Sequence, residues 1–329
     1  MRNLRLVSLF AGCGGTDIGF QGGFAFLSAK YKKLPVKLIY ANDNDKNACN
    51  IFDSNFPIDI CRKDIQEVDS SEIPDHDILT AGFPCQTFSI IAQNPPRLGV
   101  RGPNGNLFFE VCRILKDKKP LCFVAENVKG ILSANKGKAF PLIMESFRNC
   151  GYYVFHILLN AYHFGIPQKR ERVFIIGFRD PSYMEMFNIA IPVNEKNVLK
   201  SVLIDENKID SRYYFSERAV NGLKNANKKM NKGRIQDPEY PCNTVGSHLA
   251  KVSLNSTDPV LKINGRYRRF TPREVARIQS FPESFKLCGT DGHQFKALGN
   301  AIPPVMAWYV AKSLVEAIKK VNKISSSKI

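Results

Sequence analysis

Leu4-Arg5-Leu6-Val7-Ser8-Leu9-Phe10-Ala11-Gly12-Cys13-Gly14-Gly15-Thr16-Asp17 is a short apolar run that breaks into a glycine loop, with a helical pattern from Thr16. That order reads as strand, loop, helix. The same grammar recurs downstream. Val36–Ala41 ends at Asn42-Asp43 and leads into a helical pattern over Asp45–Phe52. Ile78–Ala81 ends at Gly82-Phe83-Pro84-Cys85, and Cys122–Ala125 ends at Glu126-Asn127. Leu107–Leu115 and Ala139–Phe147 supply intervening helices, while Tyr153–Leu159 and Val173–Phe178 are two further strands. Strands alternating with helices predict an α/β fold, a doubly wound, mostly parallel sheet covered on both faces. Ligands of such sheets lie at the carboxyl ends of strands. The glycine loop, Asp43, Cys85 and Glu126 all fall there.

Composition narrows the function. The 329 residues carry 47 Lys+Arg against 30 Asp+Glu, a net charge of +17, and 44% are hydrophobic. That apolar content excludes a disordered chain. No apolar run approaches the ~18 residues of a membrane span. The charge excess points to a polyanionic partner, most simply nucleic acid. Nine cysteines are scattered without a C-x-x-C pair, so neither a zinc ribbon nor a thioredoxin-type site is expected, and no metal. An odd, dispersed cysteine count fits a reducing cytosol and a cytoplasmic protein. Arg2 and Arg5 precede the apolar run Leu6–Ala11. That run is shorter than the ~7–15 residues of a signal-peptide core.

The character of the chain changes after Pro181. Periodicity weakens, and Arg218–Arg234 carries six basic residues and no acid. Lys262, Arg266, Arg268, Arg269 and Arg273 form a second basic cluster. Residues 181–298 are expected to form a second, smaller domain. Pro303–Val321 then resumes as an amphipathic helix, giving a first domain of 1–180 plus 299–329. The Lys/Ser-rich tail after Val321 is expected to fray.

Gly12-Cys13-Gly14-Gly15 suits a nucleotide-like cofactor lying against backbone, but Asp17 stands where the dinucleotide fingerprint needs Gly or Ala. Asp43 could bind ribose hydroxyls, and Asp64 in Lys63-Asp64-Ile65 an adenine amino group; either could equally be a helix cap. A glycine loop followed by these two acids fits S-adenosylmethionine better than NAD. Most cysteines are small buried hydrophobes. A thiol in the turn of Phe83-Pro84-Cys85-Gln86 is placed differently, where it can be exposed and activated as a nucleophile. Glu126 at the next strand end is a candidate acid if burial raises its pKa. Arg170 and Arg172 enter another strand and could orient it.

These blocks resemble, in order and over nearly the whole chain, those of the DNA (cytosine-5)-methyltransferases of bacterial restriction–modification systems. Ser8–Phe20 resembles the family's cofactor loop. Phe83-Pro84-Cys85-Gln86 resembles its nucleophile motif, Glu126-Asn127-Val128 its acid motif, and Gln168–Arg172 its Gln-x-Arg-x-Arg motif. Arg269-Phe270-Thr271-Pro272-Arg273-Glu274 resembles its late structural motif, and Gly299-Asn300-Ala301-Ile302-Pro303-Pro304 its last cofactor-pocket motif. The resemblance implies a Rossmann-like S-adenosylmethionine-dependent fold, with the smaller domain recognising DNA. It also implies Cys85 as nucleophile, Glu126 as acid, and Arg170 and Arg172 as positioning groups. Phe10, Gly12, Gly14, Gly15, Asp43, Asp64, Ile65, Pro84, Asn300 and Ile302 are then expected at the cofactor. Gln86, Ser89, Arg97, Arg101 and Thr244 are expected at the DNA. The chain departs at Asn44, where the family often has an aromatic residue.

The implied mechanism follows from cytosine, whose C5 is a weak nucleophile. A thiolate adds at C6 while a glutamic acid serves N3; the resulting enamine takes the methyl group, and loss of the C5 proton expels the thiolate. The base must first be flipped out of the duplex. Gln86–Gly105, with Gly99, Gly102, Gly105, Arg97 and Arg101, is expected to close over it. The expected partner is double-stranded DNA bound by a monomer, with a restriction endonuclease sharing the site without direct contact. Rival readings are few. An amino-group methyltransferase needs an Asp/Asn-Pro-Pro-aromatic motif, and Asn94-Pro95-Pro96-Arg97 lacks the aromatic residue. A tRNA cytosine methyltransferase shares the motif set, whereas the long basic region favours duplex DNA. A silent DNA-binding protein has no use for Cys85, Glu126 and Arg172 together.

Overall fold

A computed structural model describes residues 2–84, 107–192, 196–225, 234–249 and 258–326. The first half holds strands β1 (Leu4–Leu9), β2 (Phe24–Phe26), β3 (Ala29–Tyr31), β4 (Val36–Asn42), β5 (Ile78–Ala81), β6 (Cys122–Val128) and β7 (Tyr153–Asn160). The remainder adds β8 (Gln168–Lys169), β9 (Glu171–Phe178), β10 (Ile235–Gln236), β11 (Cys242–Asn243), β12 (Val260–Ile263) and β13 (Arg266–Arg268). The α-helices are α1 (Gly15–Gln21), α2 (Lys46–Asp53), α3 (Leu107–Lys118), α4 (Ala139–Arg148) and α5 (Pro181–Met186). They continue with α6 (Glu217–Asn225), α7 (Pro272–Ile278), α8 (Asp291–Asn300) and α9 (Pro304–Ser326).

Six strands make the central sheet in the order β4-β1-β5-β6-β9-β7. The first four are mutually parallel, and β9 runs antiparallel to β6 and to β7. Alternate residues serve opposite faces. Leu4, Leu6, Ile78, Val124 and Phe174 belong to one apolar layer, with α1 and α9. Val7, Leu9, Leu79, Ala125 and Val173 belong to the other, with α3 and α4. A sheet buried on both faces explains why its strands read as nearly unbroken apolar runs. The same alternation puts Ser8, Thr80, Glu126 and Arg172 together on the first face.

Helix starts follow local chemistry. Asp45 caps α2 by accepting from the Asn47 and Ala48 amides. Thr271 and Glu274 form a reciprocal capping box at α7, with Pro272 in the first turn, where its missing N–H costs nothing.

Three elements differ from the sequence reading. β6 runs to Val128 rather than Ala125, because β9 continues the pairing through Arg172. Glu126 therefore lies within a strand, not beyond one. The last helix continues past Val321 to Ser326. The third difference concerns the second basic cluster. Arg268 is fully buried and ion-paired with Glu206 at 2.7 Å and Glu274 at 2.8 Å, while Arg273 donates to the Phe285 carbonyl. The Arg268 charge is thus neutralised inside the protein, and Arg273 is partly turned inward.

Strands β10, β12 and β13 form a small separate sheet. Its Val260 and Tyr267 meet Leu223 of α6 in a small apolar cluster. Phe270, Val275, Ile278, Phe281, Phe295 and Leu298, from the segment assigned by sequence to the smaller domain, share the main core with Phe20, Ile302 and α9.

Candidate functional site

A cavity of about 650 Å³ opens at the carboxyl ends of β1, β4, β5 and β6. Its size falls within the range of small-molecule sites. One wall is the chemistry expected from the sequence. Arg172 Nε stands 2.9 Å from Glu126 Oε1, and both side chains are mostly buried. Burial pushes the Glu126 carboxyl above its ordinary range, while the Arg172 and Arg170 guanidinium groups pull it back. Beside it, the buried Asn127 side chain donates to the Phe83 carbonyl at 2.9 Å and accepts from the Val128 amide. That clamp fixes the chain immediately before Pro84, which lines the cavity and precedes the expected nucleophile. Cys85, Gln86, Ser89, Arg97 and Arg101, with the whole expected closing segment Gln86–Gly105, lie outside the described residues.

The opposite wall is the glycine loop. Phe10, Gly12 and Gly15 line the cavity; Gly14 does not. Gly14 has φ +88°, and a β-carbon there would collide with the Phe56 ring, so packing demands its glycine. Gly12 has φ +58° and nothing within 4 Å of where a β-carbon would stand, so its backbone is open to a ligand. The expectation for Gly14 is therefore corrected from cofactor contact to loop packing. Asp43 accepts from the Gly12 amide and the Asp45 amide, both at 2.8 Å. It both shapes the loop and faces the cavity. Asp64 caps a short turn through the Gln66 amide, and its other oxygen accepts from Asn44 at 3.1 Å. Ile65, Asn300 and Ile302 complete this side.

Arg170 behaves differently from expectation. It is 1% exposed and donates to three carbonyls, of Val245, Gly299 and Ala301, each at 2.9 Å. It makes no hydrogen bond to Glu126 among the described residues, so its contact with the acid is corrected to a staple joining three chain segments. Gln168 continues the staple: it donates to Gln279 at 2.7 Å and accepts from the Val245 amide. Thr244 sits beside this hub, its hydroxyl donating to the Lys169 carbonyl.

The C-5 cytosine-specific DNA methylase family model matches residues 4–316. The chain belongs to that family. It is 35% identical over 97% of its length to the type II methyltransferase M1.ScrFI of Lactococcus lactis subsp. cremoris, covering 80% of that protein. It is 34% identical over 98% of its length to M.FnuDI of Fusobacterium nucleatum, covering 97% of that one. The fold is also that of the S. pombe Dnmt2 methyltransferase, with TM-score 0.72 at 21% identity over 94% of this chain and 98% of that one.

As a C-5 cytosine-specific DNA methylase the chain uses S-adenosylmethionine as methyl donor. The cavity fits such a ligand. It offers open backbone at Gly12, two carboxylates at Asp43 and Asp64, and apolar walls at Phe10, Ile65 and Ile302. Two methylase residues escaped the sequence reading. Asn127 was quoted only as a neighbour of Glu126, and Gln279 gave no signal, being one polar residue near the end of an amphipathic helix. Gln279 donates to the Leu298 carbonyl at 2.6 Å and so anchors the segment before Asn300.

Proposed function

We propose that this methylase is the modification enzyme of a type II restriction–modification system, transferring a methyl group to C5 of one flipped cytosine in a specific duplex sequence. The observation that carries the reading is the Glu126–Arg172 pair lining the same cavity as the glycine loop and Pro84. The type II designation of its relatives supports the biological setting. In this proposal it acts as a cytoplasmic monomer, and an endonuclease sharing its site needs no contact with it. Residues 181–267 supply target recognition, with Thr244 near the DNA backbone.

Asp43, Asp64, Gly12, Phe10, Ile65, Asn300 and Ile302 hold the cofactor, whose sulfonium supplies an electrophilic methyl group. Cys85 adds as thiolate to C6, forming a carbon–sulfur bond and sending electron density toward C5. Glu126 gives its proton to N3, so the ring accepts that density without developing a bare anion. Arg172 holds the carboxyl at the angle needed, while burial keeps its pKa raised. Once C5 is methylated, its proton passes to water, the carbon–sulfur bond breaks, and N3 returns its proton to Glu126. Gln86, Ser89, Arg97 and Arg101 contact the DNA around the flipped base.

Bisulfite sequencing of plasmid from an expressing host tests the reading. The expected result is protected cytosine at one short sequence and nowhere else. Unprotected plasmid alongside methylated RNA would overturn it.

A further inference from the structure

Asp17, on the first turn of α1, is the anomaly the mechanism does not use. It is 0% exposed, and neither carboxylate oxygen meets a donor at full hydrogen-bond geometry. The Ser8 hydroxyl and its own amide act on it as weak donors, and neither brings a charge. Ser8 lines the cofactor cavity, as do Gly15 and Thr16 immediately before Asp17. Thr80, paired in register with Ser8, also lines the cavity and leaves its buried hydroxyl unpartnered. A polar pocket thus breaks an otherwise apolar layer, one side chain behind the cavity wall.

We propose that Asp17 discriminates the cationic cofactor from its neutral demethylated product, becoming ionised when a sulfonium occupies the cavity and neutral when a thioether does. This rests on the reading of the cavity as the cofactor site. A buried carboxylate with weak donors and no counter-charge is costly, so the group stays protonated until a cation arrives. Burial accordingly pushes Asp17 up to about 7. Among the described residues no cation contributes to its electrostatics. α9 and β4, which pack on α1, contribute apolar residues such as Ala307, Trp308, Leu38 and Ala41. The nearby Cys13 thiol is neutral, pushed up to about 12 by burial. Asp43 and Glu126 face the same cavity, and burial raises both.

Linkage then fixes the sign. Binding a cation lowers the Asp17 pKa, so a proton passes from its carboxyl to the buffer, and cofactor affinity gains as pH rises toward about 7. The neutral product gains nothing, which favours its departure after transfer.

The test is calorimetric titration of the wild-type protein and Asp17→Asn with S-adenosylmethionine and with S-adenosylhomocysteine, between pH 5.5 and 8 in buffers of different ionisation enthalpy. In wild type the ratio of product to cofactor Kd is expected to rise about fivefold or more with pH. Only the cofactor releases a proton near neutrality. In Asp17→Asn the residual pH dependence reports Asp43, Glu126 and the ligands' own ammonium groups. Equal pH dependence in both proteins overturns the inference while leaving the cavity reading intact. Failure of both ligands to bind overturns the cavity reading and the inference with it. Should Asp17→Asn not fold, proton release by the wild type decides: equal release with the two ligands overturns the inference.

Discussion

Glu126 and Arg172 meet diagonally across two antiparallel strands, because Glu126 pairs with Phe174 and Arg172 pairs with Val128 two residues further along β6. The long guanidinium side chain spans the diagonal and reaches Oε1 at 2.9 Å. The pair gives the carboxyl a fixed direction and opposes part of the upward push of burial.

Replacing Glu126 by Gln is expected to lower single-turnover methyl transfer by roughly 10²–10⁴-fold, the usual scale of general acid catalysis. Cofactor affinity changes little. The acid form is the active one, so the rate falls as pH rises through the raised Glu126 pKa. In Arg172→Ala the cation is gone and that pKa climbs further, so the falling limb moves to higher pH even as the rate drops. Rapid-quench pH profiles check this, and a limb moving to lower pH contradicts it.

Arg170 and Arg172, two residues apart, should fail in different ways. Arg170→Met leaves the Val245, Gly299 and Ala301 carbonyls without their donor. A loss of about 3–5 kcal/mol of stability is expected. Arg172→Ala removes an ion pair at a cavity wall, so its melting temperature shifts far less while activity collapses. Thermal melts alongside transfer assays separate the two.

Phe10, Gly12 and Asp43 were legible because they follow the carboxyl ends of β1 and β4, one kind of place that the sequence marks with glycine or a short polar turn. Glu126 and Arg172 line the same cavity from within β6 and β9, on the face that the strand alternation assigns them. Arg170 was misread because a buried staple and a catalytic arginine look alike in a Gln-x-Arg-x-Arg run; only the carbonyls facing it tell them apart. Arg268 counted toward the second basic cluster in the sequence because its partners Glu206 and Glu274 are 62 and 6 residues away. The shared core of Phe270–Leu298 was illegible because amphipathic helices show that they bury a face, not against which neighbour.

The glycine loop separates binding from packing. Gly14→Ala is expected to destabilise the fold by several kcal/mol, since its β-carbon meets the Phe56 ring at a left-handed φ. Gly12→Ala costs only about 1 kcal/mol of backbone strain. It should nevertheless weaken S-adenosylmethionine binding tenfold or more, by pushing a methyl group into the cavity. Denaturant melts and titrations on both variants check the contrast.

Asp17 also gives stability a pH dependence. Burial pushes its carboxyl up to about 7 in the folded protein, above the ordinary aspartate value of 3.8. Its contribution is therefore fully present below the unfolded value and is lost as pH rises through the folded one. Asp17→Asn lacks that loss, so it should melt higher than wild type at pH 8, by on the order of a few kcal/mol, and match it near pH 4. A constant difference across that range contradicts the assignment.

The proposed addition of Cys85 to C6 of the target cytosine is open to covalent trapping. A duplex carrying 5-fluorocytosine at the methylated position is incubated with the protein and S-adenosylmethionine, then resolved under denaturing conditions. After methyl transfer, fluorine occupies the place of the removable proton, so the sulfur cannot be expelled. A covalent protein–DNA band is expected for wild type and for Cys13→Ser, and none for Cys85→Ser, because an alcohol ionises far less readily than a thiol. DNA binding is expected to persist in Cys85→Ser. A trapped complex, or full methyl transfer to ordinary duplex, by Cys85→Ser would show that Cys85 is not the nucleophile.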